Sequence, residues 1–146
     1  MTEASYPNPW IYKGKPFESE DIGKYYGFVY LITQLSTERK YIGRKYFWTH
    51  RKPKGKKRRV KAESEWRKYY GSNDVLKALV QSEGIADFSR VILAPYLTKG
   101  GVNYGEVKEQ FERRVLEDDT YFNDQISGKW FKVRVQKYMK ESEECS

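Results

Sequence analysis

The chain has 146 residues, of which 38% are hydrophobic and 16% aromatic, which suits one folded domain with its own core. A mean hydropathy of −0.89 indicates a heavily charged surface, and no apolar run approaches the ~20 residues that a membrane helix needs. The N-terminus lacks the basic start and apolar core of a secretory signal. The single cysteine, Cys145, excludes an intrachain disulfide and a cysteine-based metal cluster, as is typical of a reducing cytoplasm.

Positive charge is concentrated in the first half of the chain. The net charge is +8, yet residues 1–70 hold 17 basic and 7 acidic residues, whereas residues 71–146 hold 11 and 13. The run "HRKPKGKKRRVK" at 50–61 alone supplies eight cations. Such a field favours polyanionic partners, nucleic acid first and an acidic membrane surface second, although the sequence has no convincing amphipathic anchor helix. A solvated charge run or a receptor-bound localisation cluster remains the alternative.

The first half of the chain predicts an arm and a β-hairpin. Residues 1–25 contain three of the five prolines and several aromatic residues, and we expect an irregular arm packed on the domain by its rings. Residues 26–33 and 39–47 are rich in Tyr, Phe, Val and Ile and predict two antiparallel strands around the polar connection "QLSTE". Because of its proline and glycine, the stretch 51–61 predicts an exposed loop. The stretch "AESEWRKYYG" then predicts a short helix ending at Gly71.

The second half predicts two more helices and a third strand. "SNDVLKALVQSEG" predicts an amphipathic helix capped by Ser72 or Asn73, and 87–96 predicts a strand. "LTKGGVN" predicts a loop and 104–118 a second helix, while the tail from 127 is compatible with a strand start or a basic helix. The expected fold class is α+β, with a small three-stranded, mostly antiparallel sheet flanked by helices.

An ordered set of motifs runs along these elements. "GFVY" at 27–30 is followed eleven positions on by "YIG" at 41–43, then by "FSRVIL", by "EVKEQFERRV" with its glutamates, and by "YFN" ending at Asn123. This set resembles the GIY-YIG nuclease superfamily over roughly residues 26–123, and it is most similar to small stand-alone, homing endonuclease-like nucleases of phages and mobile elements. The resemblance implies a nuclease domain at 26–126 with a basic insertion at 51–61, an arm at 1–25 and a basic extension at 127–146.

The resemblance also implies a reaction, the metal-dependent hydrolysis of DNA phosphodiester bonds with Mg²⁺ or Mn²⁺. Tyr30 would be the general base, and since a free phenol has a pKa near 10, it would need nearby cations or a metal-bound water. Arg44 and Lys45 supply such cations directly after the second motif, and Tyr41 would position the water or the phosphate. Ordinary cross-strand aromatic packing is the alternative role of both tyrosines.

The resemblance requires one acidic metal ligand and one amide. Glu109, fourteen residues before Asn123, fits the family spacing best, with Glu106 and Glu112 as alternatives on the same helix. One carboxylate with waters and phosphate oxygens suits magnesium, and the absence of a His/Cys cluster argues against zinc. Asn123 would orient groups around the site or simply occupy a turn.

The phosphate-binding arginine that the resemblance implies has three candidates. Arg44 and Arg51 rank above Arg67, because Arg44 adjoins the second motif and Arg51 follows Tyr41 by ten residues. Sequence-independent phosphate contacts are expected from the basic stretch and the residue beyond it, namely Lys52, Lys54, Lys56, Lys57, Arg58, Arg59, Lys61 and Arg67.

The expected partner is therefore DNA, in the cytoplasm of a bacterium or a phage-infected host, with no membrane contact and with a homodimer on DNA as one route to cutting both strands. The alternative is a catalytically inactive nucleic-acid-binding or nuclease-regulating module on the same fold. The full set of two tyrosines, an arginine and a glutamate favours the enzyme.

Overall fold

The computed structural model describes residues 4–52, 54–55, 57–126, 128 and 132–145. It confirms the α+β class, but the main sheet has five strands and is mixed, so the prediction of three strands is wrong. The strands are β1 (Ile11–Tyr12), β2 (Lys15–Pro16), β3 (Gly27–Gln34), β4 (Lys40–Tyr46) and β7 (Phe88–Tyr96). Their order in the sheet is β2-β1-β7-β3-β4. The two extra strands come from the N-terminal segment, where β1 pairs parallel to β7 and carries β2 antiparallel at the sheet edge.

The three central strands are the ones that the sequence predicts. β3 pairs antiparallel with β4 on one side and with β7 on the other, so β3 lies in the middle of the sheet. The register places Tyr30 opposite Gly43. Because side chains alternate between the two faces of a sheet, Tyr30, Tyr41 and the Gly43 position share one face, whereas Arg44 belongs to the other.

A second sheet replaces part of the predicted loop at 51–61. β5 (Trp48–Arg51) pairs antiparallel with β6 (Val60–Glu63), so the loop prediction is wrong at both ends of that range. The predicted helix at "AESEWRKYYG" is also wrong, since only a 3₁₀ turn forms at Trp66–Lys68. The physical reason is that the first residues of that stretch pair in β6, while the indole of Trp66 is fully buried in the core.

The helices are α1 (Asp74–Glu83), α2 (Lys99–Glu112) and α3 (Lys132–Cys145). α1 begins as predicted, because Asn73 Oδ1 accepts a hydrogen bond from the Leu76 amide. α2 begins five residues earlier than predicted, with Thr98 as its N-cap. The prediction of a loop at "LTKGGVN" is therefore wrong, since most of it forms the first turns of α2. The tail is helical from Lys132, which settles the alternative left open by the sequence.

The core lies on both faces of the main sheet. One cluster joins the arm, β3, the 3₁₀ turn and α1, and it is rich in buried rings such as Trp10, Phe28 and Trp66. The other joins β3 and β4 to α2, with Val29, Ile42 and Val102 at its centre. Among the helices of the described residues, none combines the length and apolar character that crossing a bilayer requires.

Candidate active site

A polar pocket of about 480 Å³ lies at the outer edge of β4. Tyr41 and Arg44 enter it from opposite faces of this edge strand, and the start of α1 at 72–75 forms one wall. Glu106 and Gln110 of α2 form another wall, since residues four apart lie on the same face of a helix. The edge of β4 therefore brings together side chains from elements on both faces of the main sheet.

The two tyrosines lie one behind the other. Tyr30 is 1% exposed and its ring centroid lies 6.2 Å from that of Tyr41, which lines the pocket and whose hydroxyl is 3.1 Å from Ser72 Oγ. Gly43 is necessary for this arrangement, because a methyl group there would overlap the Tyr30 hydroxyl and lie 2.9 Å from Tyr41 Cε2. Burial raises the pKa of Tyr30 well above its ordinary value and also raises the pKa of Tyr41.

Arg44 and Glu106 form an ion pair inside the pocket, with Nη1 3.1 Å from Oε1. Arg44 Nε also donates to the Tyr46 hydroxyl, which in turn donates to Asn103 Oδ1. The Glu106 side chain is only 15% exposed, and burial raises the pKa of its carboxyl despite the opposing effect of Arg44. α2 thus directs a partly desolvated carboxylate at the cation that follows the second motif.

Glu109, the residue that the sequence favours as metal ligand, points elsewhere. Its carboxylate receives a hydrogen bond from Arg113 Nε at 3.0 Å, one turn along α2, and it does not line the pocket. Glu112 is exposed. The spacing Asn103, Glu106, Gln110 marks the stripe of α2 that faces β4, and Glu109 lies off this stripe. The structure therefore brings Glu106, not Glu109, to Tyr41 and Arg44.

Asn123 holds the edge of β4 in place. Its side-chain amide accepts a hydrogen bond from the Ile42 N–H and donates one to the Ile42 carbonyl, at 3.0 and 2.7 Å. Gln110 Nε2 donates to the same carbonyl at 3.2 Å. Asn123 therefore orients the strand that carries Tyr41 and Arg44. The sequence motifs give no site role to Gln110 or Ser72, although the i, i+4 spacing of Glu106 and Gln110 places them on one face of a helix.

The described members of the remaining predicted site residues belong to the end of β4, to the β5–β6 hairpin and to the 3₁₀ turn after it. Lys45 lies in an adjoining groove, where Nζ binds Glu65 Oε1 at 2.6 Å. Arg67 is 3.9 Å from Glu63 Oε1 and lines a different groove. Arg51 has its backbone in β5, but its side chain lies outside the described residues, as does all of Lys56. Exposed cations at the hairpin tip are Lys52, Lys54, Lys57, Arg58 and Arg59, and Lys61 follows in β6.

The oxygen ligands that line the pocket would suit a magnesium ion that takes its other ligands from water and from a substrate. Magnesium commonly binds one or two carboxylates while keeping waters and phosphate oxygens. Glu106 offers a partly buried carboxylate, and Asp74 and Asp124 also line the pocket. No cluster of three or more His, Cys, Asp or Glu that converges on a metal position occurs in the described part of the chain. The described residues therefore do not form a metal site made of protein ligands alone, and they suit a site at Glu106 in which water and substrate supply the other ligands.

The pocket combines the Arg44 guanidinium and the Tyr41 phenol with the carboxylates of Asp74, Glu106 and Asp124, and the exposed cations of the β5–β6 hairpin follow β4 along the chain. Residues 10–126 match the family model described as "Putative endonuclease segE, GIY-YIG domain". No curated protein and no solved structure matches the chain. Since the family model covers most of the chain, the protein belongs to the GIY-YIG nuclease superfamily, as its motifs predict.

Proposed function

We propose that this protein is a metal-dependent DNA endonuclease whose active site is the pocket at the edge of β4. The observation that carries the proposal is the convergence of Tyr41, Arg44 and Glu106 in one pocket of a GIY-YIG chain. Phosphodiester hydrolysis requires binding of the phosphate charge, an oriented water and stabilisation of the leaving oxygen. The three side chains and a metal ion supply these functions together.

In this proposal Arg44 binds the scissile phosphate. Its guanidinium is 40% exposed, so a phosphate can reach it while Glu106 holds its orientation. Glu106 would hold the metal, Mg²⁺ or Mn²⁺, and Asp74 and Asp124 line the same pocket. When bound, the ion neutralises phosphate charge and lowers the pKa of a coordinated water.

Tyr41 rather than Tyr30 contacts the reacting groups. Tyr30 has almost no exposed surface, and its raised pKa opposes ionisation near neutral pH, so it supports Tyr41 from behind. The Tyr41 hydroxyl lines the pocket beside Ser72 and is placed to orient the attacking water. Burial also raises the pKa of Tyr41, so the phenolate that would accept the proton of that water requires the added positive charge of a metal ion held at Glu106.

The tip of the β5–β6 hairpin binds phosphates away from the cleavage point. Its exposed lysines and arginines follow directly from the strand that borders the pocket, so a duplex bound in the pocket passes close to them. One pocket cuts one strand at a time. Cutting both strands then requires a second copy of the chain or a second binding event.

The test is cleavage of supercoiled plasmid with Mg²⁺, with and without EDTA, by the wild type, Arg44→Ala and Arg113→Ala. Arg113 is the matched control, because it also pairs with a glutamate of α2 but lies outside the pocket. We expect relaxed or linear product only with metal, a loss of roughly 100-fold or more in Arg44→Ala, and near wild-type activity in Arg113→Ala. A wild type that binds plasmid but never cuts it would instead identify a binding or nuclease-regulating module.

A further inference from the structure

A second groove of about 340 Å³ adjoins the pocket and shares Arg44, Ser72 and Glu106 with it. Its other walls come from the end of β4, the base of the β5–β6 hairpin and the 3₁₀ turn region, namely Lys45, Tyr46, Trp48, Thr49, Ser64 and Tyr69. A DNA strand that places a phosphate on Arg44 therefore has an adjoining space to fill on the way to the basic hairpin.

Two rings in this groove each carry a lysine ammonium on the ring face. Lys61 Nζ lies 4.3 Å from the ring centroid of Trp48, and Lys45 Nζ lies 4.3 Å from that of Tyr69. Aromatic rings stack with nucleobases of any sequence, and ammonium groups bind the phosphates between them. Trp48 and Lys45 line the groove whereas Lys61 does not, so the groove itself offers one open ring surface and one ammonium, the two kinds of contact that one nucleotide needs.

Trp48 is only partly buried, unlike the aromatic residues of the core next to it. Its neighbour Phe47 is fully buried, as are Trp10 and Trp66 on the same side of the sheet. Trp48 only packs against that cluster and remains partly exposed as a wall of the groove. A large aromatic side chain in this position, beside cations and an active site, is more useful for stacking than for stability.

We infer that this groove binds one unpaired nucleotide of the DNA strand next to the cleaved phosphate, with its base on Trp48. The phosphate of that nucleotide takes the place of Glu65 on Lys45, because Glu65 is 62% exposed and easily displaced. A paired base is covered by its neighbours on both faces, so only a bulged, gapped, forked or flipped nucleotide can reach the indole. This inference rests on the proposed DNA-cleaving function and specifies its substrate.

The test measures binding in EDTA, where no cleavage occurs, to a fully paired duplex and to the same duplex with one bulged nucleotide. We compare the wild type with Trp48→Ala, Trp48→Phe and Phe111→Ala. Phe111 is the matched control, since its ring is 63% exposed on α2 and lines neither the pocket nor the groove. Thermal unfolding checks that each variant is folded.

We expect the wild type to prefer the bulged duplex, and Trp48→Ala to lose about 5- to 100-fold in affinity for that duplex alone. Trp48→Phe should keep part of the preference and Phe111→Ala all of it. A wild type with no preference, or a Trp48→Ala variant that weakens both duplexes equally or neither, overturns the inference. If the wild type binds neither duplex, the proposed DNA substrate fails as well. If the wild type cleaves plasmid with Mg²⁺ but shows no Trp48-dependent preference for the bulged duplex, only the nucleotide site is contradicted.

Discussion

At the scale of single residues, Arg90 is a buried cation that holds the walls of the site to the arm. Its guanidinium is 1% exposed and donates to the Asn8 and Tyr69 carbonyls, while Tyr70 and Trp10 lie against its faces at 4.3 and 4.8 Å. Burial lowers its pKa, because charge is costly in the interior. Tyr69 precedes Ser72 by three residues, so Arg90 fixes the segment that contacts Tyr41.

Replacing Arg90 by methionine should therefore destabilise the protein by about 2–4 kcal/mol, since buried carbonyls lose their donors. Arg134→Met on the exposed face of α3 is the control and should change the free energy of unfolding by at most about 0.5 kcal/mol. Urea unfolding of the two variants measures both values. Equal stability in the two variants would show that Arg90 is not a clamp.

Glu106 gives a second residue-scale prediction, on the pH dependence of stability. Its folded pKa is raised, so its favourable contribution is complete below the ordinary carboxyl pKa and is lost as pH rises through the folded pKa. Relative to Glu106→Gln, the wild type should be more stable at about pH 4.5 than at about pH 7. Thermal unfolding of both proteins at the two pH values measures this difference. A difference that instead grows with pH would mean that Arg44 outweighs burial.

At the scale of elements, the β5–β6 hairpin is the part of the fold with the largest expected effect on affinity. Arg58→Gln with Arg59→Gln removes two exposed cations, while Lys13→Gln with Lys15→Gln removes two at the opposite edge of the main sheet. Each phosphate contact contributes about 0.9 to the slope of log affinity against log salt. The hairpin variant should reduce that slope by about 2, and the control should leave it unchanged.

Fluorescence anisotropy of a labelled duplex over a range of salt concentrations measures the slopes. Similar slopes for both variants would mean that the tip does not contact DNA and that only the net charge matters. A control variant that lost more than the hairpin variant would place the DNA on the other edge of the sheet.

The elements also show which local patterns the sequence expresses clearly. The central strands β3, β4 and β7 follow from β-branched and aromatic runs bounded by polar turns, and the start of α1 follows from Asn73. The sequence predicts too late a start for α2, because Gly100 and Gly101 are typical of a loop. In the fold, a methyl group on Gly105 would lie 2.6 Å from the Tyr96 ring, and one on Gly100 would overlap Tyr138. These glycines serve helix packing, which local propensity does not reveal.

At the scale of the whole molecule, the sequence predicts the part of the site that lies on one regular strand, but not the part that depends on packing between elements. Tyr41 and Arg44 belong to a regular strand, so motif position was enough to bring them together. The choice between Glu106 and Glu109 depends on the rotation of α2 about its axis, and close packing of Gly101 and Gly105 on Tyr96 sets that rotation. The number of residues between the glutamate and Asn123 does not reveal the rotation of α2 about its axis. Ser72 was likewise hidden, because it meets Tyr41 only across the fold.

The most direct test of an active site at the edge of β4 compares Glu106→Gln with Glu109→Gln in cleavage of supercoiled plasmid with Mg²⁺, at protein concentrations that give equal DNA binding. The two substitutions are chemically identical and three residues apart on α2, but only Glu106 lines the pocket with Tyr41 and Arg44. We expect Glu106→Gln to lose about 100-fold or more in rate, while Glu109→Gln stays within a few-fold of the wild type. A loss confined to Glu109→Gln, or an active Glu106→Gln, would contradict the placement of the active site at the edge of β4.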